Sequence, residues 1–194
     1  MLSPHDESTF TQFRQSRRSR VWREPQEEWA PSCVSASVKH SPNRMFWGCF
    51  SRRGVGPIVP LSGRVTGASH VDILRKHAVP TMRRTFPKGK GRFQEDNARP
   101  HTVKVAKEFW EKTGLRKLSW PAQSPDLNPL ENLWAEVKRS VQNRKKQPSS
   151  LAELDRHVVK AWKNIPTSLI KSLVDSMPRR IEAVIAAKGG LTKY

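Results

Sequence analysis

"SPDLNPLENLW", residues 124–134, places two carboxylates, Asp126 and Glu131, at the entrance of a helix. From Leu130 onward the apolar residues Leu133, Trp134, Val137 and Val141 recur at i+3, i+4, i+7 and i+11, which is one face of an amphipathic helix. Asn128 is a favourable N-cap, Pro129 suits the first helical position, and Glu131 then falls at the third. That is a capping-box arrangement with Asn in place of Ser or Thr, and a carboxylate there also suits the helix macrodipole. At about 100° per residue, Glu131 lies at the edge of the apolar stripe, from which it can also reach a site at the edge of a sheet. The local pattern leaves both roles open.

Upstream, the first half of the chain reads as strands. "VWREPQEEW" (21–29), "CVSASVKH" (33–40), "RMFWGCFS" (44–51) and "VGPIVPLSG" (55–63) are separated by Gly and Pro at hairpin-like intervals. Three to five mostly antiparallel strands are expected between Ser8 and Val65. A helix is expected over Ser69–Phe86, capped by Ser69 and kinked or divided by Pro80. A short strand fits "GRFQED" (91–96). A helix runs from about Thr102 to Gly114, and "LRKLSW" (115–120) reads as another strand. After residue 129 the chain is helical, with further helices from a Ser150 cap, over Thr167–Asp175 and over Pro178–Lys188. Strands first, then strand–helix–strand–helix, then a helical C-terminal part describe an α/β protein with a mixed sheet flanked by helices. Ligands in such folds gather at the carboxyl ends of strands, where Asp96 stands.

The charge is the strongest bulk signal. Thirty-six Lys and Arg face seventeen Asp and Glu, for a formal charge of +19 over 194 residues. Such an excess points to a polyanion, of which nucleic acid is the usual one. No run approaches the roughly 18 apolar residues of a membrane span, and no membrane partner is expected. Cys33 and Cys49 lack both CxxC spacing and nearby finger-type histidines, which argues against zinc coordinated by cysteine and for free thiols. The seven tryptophans sit mostly at core-like spacing rather than as base-stacking platforms.

Acidic side chains that converge in so basic a chain repel one another unless a cation joins them. Asp6, Asp96 and Glu131 are the candidates. Each has a plain alternative: an exposed terminal charge, a turn former and a helix cap, respectively. "FQEDNARPHT" (93–102) followed by "LSWPAQSPDLNPLENLWAEVKRSV" (118–141) resembles the catalytic core of mariner-superfamily DDE transposases. Thirty-four residues, 97 to 130, separate Asp96 from Glu131, the spacing of one subgroup of that family. The resemblance extends through "HDESTF", "VWREPQEEW" and "MFWGCF", and downstream through "SMPRRIEAVIAAKGGLTKY", so it covers nearly the whole chain.

This resemblance implies a ribonuclease-H-like five-stranded mixed sheet. Asp6, Asp96 and Glu131 would be the catalytic and metal-binding residues, holding two Mg²⁺ or Mn²⁺ ions. The implied activity is a metal-dependent transposase, cutting and joining DNA phosphodiesters at transposon ends and at TA-type targets. Asn97 and His101 match the family's pattern beside the metal site, and loop structuring and helix capping are their plain alternatives. Only "MLSPH" precedes Asp6, and Pro4 has no N–H for a ladder, so the first strand is expected to be a stub. Residues 1–194 are expected to form a single catalytic domain, without the helix-turn-helix modules that precede it in the family.

Double-stranded DNA is the expected partner. Arg14, Arg17, Arg18 and Arg20 in one basic run, and Lys138, Arg139, Arg144, Lys145 and Lys146 in another, are the expected phosphate contacts. The second run also fits a nuclear import signal, hence a nuclear protein. "VWREPQEEWAP" resembles a loop that reaches a partner domain in some relatives, which allows a homodimer. The rival readings are an inactive, truncated or domesticated relative that only binds DNA, and a nuclease of RNA–DNA hybrids.

Overall fold

The computed structural model describes residues 2–13, 23–27, 30, 41–122, 124–144 and 146–194. Five strands, β1 (Leu2–Thr11), β2 (Asn43–Ser51), β3 (Gly54–Leu61), β4 (Arg92–Gln94) and β5 (Arg116–Lys117), form one sheet in the order β3-β2-β1-β4-β5. The β3-β2-β1 half is antiparallel, and β1-β4-β5 is parallel. This is the expected mixed five-stranded sheet.

β1 is not a stub. It runs ten residues at the centre of the sheet, with Asp6 in its middle. Pro4 is accommodated because it lies where one ladder gives way to the other. It is the last residue paired with β4, opposite Gln94, while pairing with β2 begins one residue later, at His5 opposite Cys49. The sequence "VWREPQEEW" was expected as a strand, yet Pro25–Glu27 form a 3-10 turn. "CVSASVKH" lies outside the described residues.

Side chains alternate across a strand, and β2 uses both faces. Phe46 and Phe50 pack with Phe10 against the C-terminal helices α5 (Leu130–Gln142), α6 (Leu151–Lys163) and α7 (Thr167–Asp175). Trp47 and Cys49 face the other way, toward the helical segments that follow β3. Those are α1 (Gly67–Ile73), a π-helical stretch Leu74–Ala78, and α2 (Val79–Thr85). Thr66, not Ser69, caps α1, and Ser69 completes a capping box from the third helical position. Pro80 has no N–H for a helical bond, and the chain passes it through the π-helical widening. There the Val79 N–H bonds Leu74 O, five residues back.

β4 leads into α3 (Arg99–Thr102) and α4 (Lys104–Thr113), split by an extended Val103, so the helix expected from Thr102 begins three residues earlier and is broken once. Gly114 ends α4 in the left-handed region at φ 67°. Ser150 caps α6 as expected, its hydroxyl accepting from the Glu153 N–H. A last helix, α8, spans Met177–Ala186. No helix is long and apolar enough to cross a membrane among the described residues.

Gly48 explains the interruption in "MFWGCF". A Cβ there would lie 2.8 Å from Cη2 of Trp134 and 3.2 Å from that of Trp162, two indoles at the bottom of the core. Gly48→Ala is therefore expected to destabilise by about 1–3 kcal/mol through overpacking, although Gly→Ala usually gains stability through the unfolded chain. Urea unfolding of the variant beside wild type measures this. A midpoint at or above wild type would contradict the packing account.

Candidate active site

The period of two along β1 sends Asp6 to the face occupied by Phe10 and α5, and sends His5 and Glu7 to the opposite face. Asp96 follows the carboxyl end of β4, and Glu131 lies in the first turn of α5. The structure brings these three carboxylates to one cleft of about 470 Å³, joined there by Asn97, Ser124 and Asn128. None of the described residues lining the cleft is a Lys, Arg or His.

The helix start differs in detail from the capping box. The first helical residue is Leu130, whose N–H donates to Asn128 Oδ1 at 3.2 Å. The Asn128 N–H donates to Pro125 O rather than to Glu131, so the reciprocal bond is absent. Glu131 stays exposed at the cleft wall. Asn128 instead turns its amide to the site, Nδ2 donating to Asp6 Oδ2 at 3.0 Å. The sequence marked Asn128 as a helix cap and gave no sign of this second contact.

Hydrogen bonds orient the carboxylates. Asp6 Oδ1 accepts from the Glu7 N–H at 2.7 Å. Asp96 Oδ1 accepts from the Ala98 N–H at 2.9 Å and lies 2.7 Å from His101 Nδ1. Asn97 donates from Nδ2 to Trp120 O at 2.7 Å, fastening the loop after Asp96 to the segment after β5. His101 is therefore a partner of Asp96, not a helix cap. Asp126 is directed away from the cleft. Its carboxylate accepts from the Leu127 N–H and from Thr192 Oγ1, and its carbonyl accepts from Arg180 Nη1 at 2.7 Å. Buried Arg180 also donates to Asn132 Oδ1 and Ser176 Oγ, tying α8 to the loop that carries Asn128. Two adjacent arginines, Arg179 and Arg180, stand in the sequence with nothing to tell which one is buried.

The electrostatics follow from this crowding. Burial, reinforced by the Glu131 charge and more weakly by Glu7 and Asp96, pushes the Asp6 carboxyl up to about 8. The hydrogen bond from His101 holds Asp96 below the ordinary carboxylate range. Burial would lower His101, but its bonds to Asp96 and Glu7 prevail and raise it to about 10. A second polar group, absent from the sequence reading, lies behind the sheet. Trp47 Nε1 donates to His5 Nδ1 at 2.8 Å, so the His5 proton is on Nε2, directed at Glu95 Oε2, also at 2.8 Å. Burial would raise Glu95, yet its bonds to His5 and His70, with Lys117 alongside, hold it below the ordinary carboxylate range. The signal in the sequence is acidic residues at consecutive positions, Asp6-Glu7 within β1 and Glu95-Asp96 directly after β4, which alternation sends to opposite faces.

Of the expected phosphate contacts, Arg139, Arg144 and Lys146 are exposed. Lys138 is half-buried, its ammonium 5.7 Å from the Phe10 ring centre, and Arg139 pairs with Glu136. Arg14, Arg17, Arg18, Arg20 and Lys145 lie outside the described residues.

Residues 2–155 match the family model described as "DDE superfamily endonuclease". The chain is 36% identical to the Tcb1 transposase of Caenorhabditis briggsae and 36% identical to the Tc1 transposase of Caenorhabditis elegans; each match covers 97% of this chain and 68% of the relative. Its fold is similar to that of the Mos1 transposase paired-end complex with left transposon end, at a TM-score of 0.82 and 19% identity, covering 100% of this chain and 56% of that one. It is also similar to the catalytic domain of Mos1 mariner transposase, at a TM-score of 0.74 and 17% identity, covering 99% of this chain and 84% of that one.

The raised Asp6 carboxyl gives a signed expectation for stability. A carboxyl with a folded value near 8 and an unfolded value near 3.8 binds its proton more tightly when folded. Its ionisation therefore removes stability as pH rises from about 4 to about 8. In metal-free buffer, Asp6→Asn should melt above wild type at pH 8.5, by several degrees or more, and the gap should narrow as pH falls toward 4. Melting curves of the two proteins across that range measure it. A gap independent of pH would refute the electrostatic account.

Proposed function

This chain belongs to the DDE superfamily endonucleases, as a Tc1/mariner-type transposase catalytic domain, and from that premise we propose a metal-dependent DNA-cutting and strand-joining activity centred on Asp6, Asp96 and Glu131. The observation that carries the proposal is the three-carboxylate cleft with no cationic side chain among its described lining residues, in a chain of net charge +19. Among the described residues, the charge of Asp6 and Glu131 in the cleft meets no cationic side chain, and a metal ion would supply the counter-charge. All the polar donors lining the cleft are oxygen-bearing groups, a set that suits Mg²⁺ or Mn²⁺ and is poor for softer metals. The Mos1 transposase catalytic domain has been solved with raltegravir and Mg, and with raltegravir and Mn.

In this reading Asp6, Asp96 and Glu131 would hold two ions. When bound, the ions supply activation of an attacking oxygen and stabilisation of a leaving one. The chain's own contribution is positioning. Asn128 and the Glu7 N–H fix the Asp6 carboxylate, and His101 with the Ala98 N–H fixes Asp96. In-line displacement at a phosphodiester depends mainly on such preorganisation. Water would attack the phosphorus at the element end and displace its 3′-oxygen as a free hydroxyl. That hydroxyl would then attack a phosphodiester of TA-type target DNA and displace the target's 3′-oxygen. Lys138, Arg139, Arg144 and Lys146 on and after α5 offer a basic edge for the DNA backbone. A homodimer and a nuclear location complete the reading. They draw on the resemblance of "VWREPQEEWAP" to a partner-reaching loop and on the basic run 138–146.

The test is nicking of a supercoiled plasmid and of end-bearing duplexes by the purified chain, with Mg²⁺, with Mn²⁺ and with a chelator. Metal-dependent nicking should fall to background in Asp96→Asn and Glu131→Gln, while duplex binding persists with a steep salt dependence. Salt-sensitive binding by folded wild type without nicking in either metal would instead support the DNA-binding-only reading. Preferential cleavage of RNA–DNA hybrids would support the nuclease reading.

A further inference from the structure

Glu7, His70 and His101 meet on the face of the sheet opposite the carboxylate of Asp6. They come from three elements: β1, α1 and α3. The two imidazole centres are 4.1 Å apart. His101 Nε2 is 3.5 Å from Glu7 Oε2, and His70 Nδ1 is 3.9 Å from Glu7 Oε1. One atom from each residue can be chosen so that all three lie within 4.8 Å of one another.

The far side of each ring is already engaged. His70 Nε2 lies 3.2 Å from Glu95 Oε2, and His101 Nδ1 lies 2.7 Å from Asp96 Oδ1. What remains pointing inward is one nitrogen from each histidine and the carboxylate of Glu7. Two of these inward atoms, His70 Nδ1 and Glu7 Oε1, are buried and have no hydrogen-bond partner. Each such orphan is a cost to folding when nothing satisfies it. His70 is fully buried, so the orphan is not a surface accident.

We propose that Glu7, His70 and His101 form a second metal site, for a borderline divalent ion of the zinc type. Two imidazole nitrogens and one carboxylate oxygen are a recurring zinc donor set, and imidazole also suits Co²⁺ and Ni²⁺. Mg²⁺ wants octahedral oxygen donors and keeps its waters, which this buried nitrogen-rich pocket does not offer. Two ligands each about 2.0–2.1 Å from a tetrahedral ion stand about 3.3–3.4 Å apart. The gaps of 3.5 and 3.9 Å run to the two different oxygens of Glu7, and one atom from each residue lies within 4.8 Å of the others, so rotation of the Glu7 carboxylate and the two rings would bring one oxygen and two nitrogens to that spacing. The carboxylates behind the rings, Glu95 and Asp96, are the usual outer partners of metal-bound histidine, fixing the tautomer and the ring plane. With Nε2 of His101 on the ion, the proton it shares with Glu7 would be released to solvent, and Nδ1 would keep its own and donate to Asp96 Oδ1. The ion is thereby a positioning element for Asp96 and is distinct from the cations of the carboxylate cleft.

The test uses the tag-free chain, stripped with a chelator, and reads metal occupancy rather than DNA cleavage, so its failure is separable from failure of the transposase reading. Calorimetry with Zn²⁺ should give one tight site per chain in wild type, retained in Glu131→Gln and weakened at least about 10-fold in the near-isosteric Glu7→Gln. Co²⁺ added to wild type should give the intense visible absorption of a tetrahedral nitrogen–oxygen site, a readout that needs no variant to fold. Folded wild type that takes up no Zn²⁺ and shows only the weak octahedral Co²⁺ spectrum would overturn the proposal. So would Zn²⁺ binding lost in Glu131→Gln and unchanged in Glu7→Gln, which would place the ion in the carboxylate cleft.

Discussion

Successive residues of a strand point to opposite faces, and in this protein that constraint divides the central strand into two sites. His5, Asp6 and Glu7 are consecutive, yet Asp6 faces α5 while His5 and Glu7 face α1, α3 and β4. β1 has β2 on one side and β4 on the other, so it cannot slip by one residue without exchanging these faces. The register is held by bulk on both sides. Phe10 packs with Phe46 and Trp134 on one face, and the His5 ring stacks on Phe93, 4.5 Å between centres, on the other. Everything polar in the site depends on those apolar contacts keeping the strand in place.

The same contrast explains what the sequence disclosed. The amphipathic period after Leu130, the turn residues and the Ser150 cap were readable because one chemical rule governs each of them locally. The 34-residue interval between Asp96 and Glu131 was readable because it matched a family, not because spacing alone implies proximity. β1 was misjudged because its anchoring lies in partners distant in sequence. A proline that would damage the interior of either ladder is harmless at the point where they meet. The buried group of His5, Glu7, His70, Glu95 and His101 was missed for a related reason. It is spread over positions 5 to 101, and each histidine by itself reads as an ordinary one.

Glu131 shows how a local signal misleads by a single bond. Position allowed a capping role beside a site role, but the reciprocal bond would need the Asn128 N–H, which the preceding 3-10 turn, Pro125–Leu127, has already taken through Pro125 O. That turn is in turn held by Arg180 and Thr192 through Asp126. The C-terminal segment, far from the cleft in sequence, thus decides that Asn128 faces Asp6 and that Glu131 is left to the cleft.

The hydrogen bonds at the site are distributed so as to leave specific oxygens open. Both bonds to Asp96 fall on Oδ1, one from the Ala98 N–H and one from His101. The bonds to Asp6 divide between its two oxygens and come from neutral donors, the Glu7 N–H and the Asn128 amide. Neutral donors orient a carboxylate without cancelling its charge, whereas an Arg or Lys in the same place would satisfy it fully. Asp6 is therefore ordered by neutral donors alone, whereas Asp96 also faces the imidazole of His101. In the folded chain the crowding of the cleft appears as an Asp6 carboxyl raised to about 8, which a retained proton or an arriving cation relieves. The two apolar cores on either side of the sheet, closed by Trp134 and Trp162 on one face and Trp47 and Trp110 on the other, supply the stability that lets such a site persist.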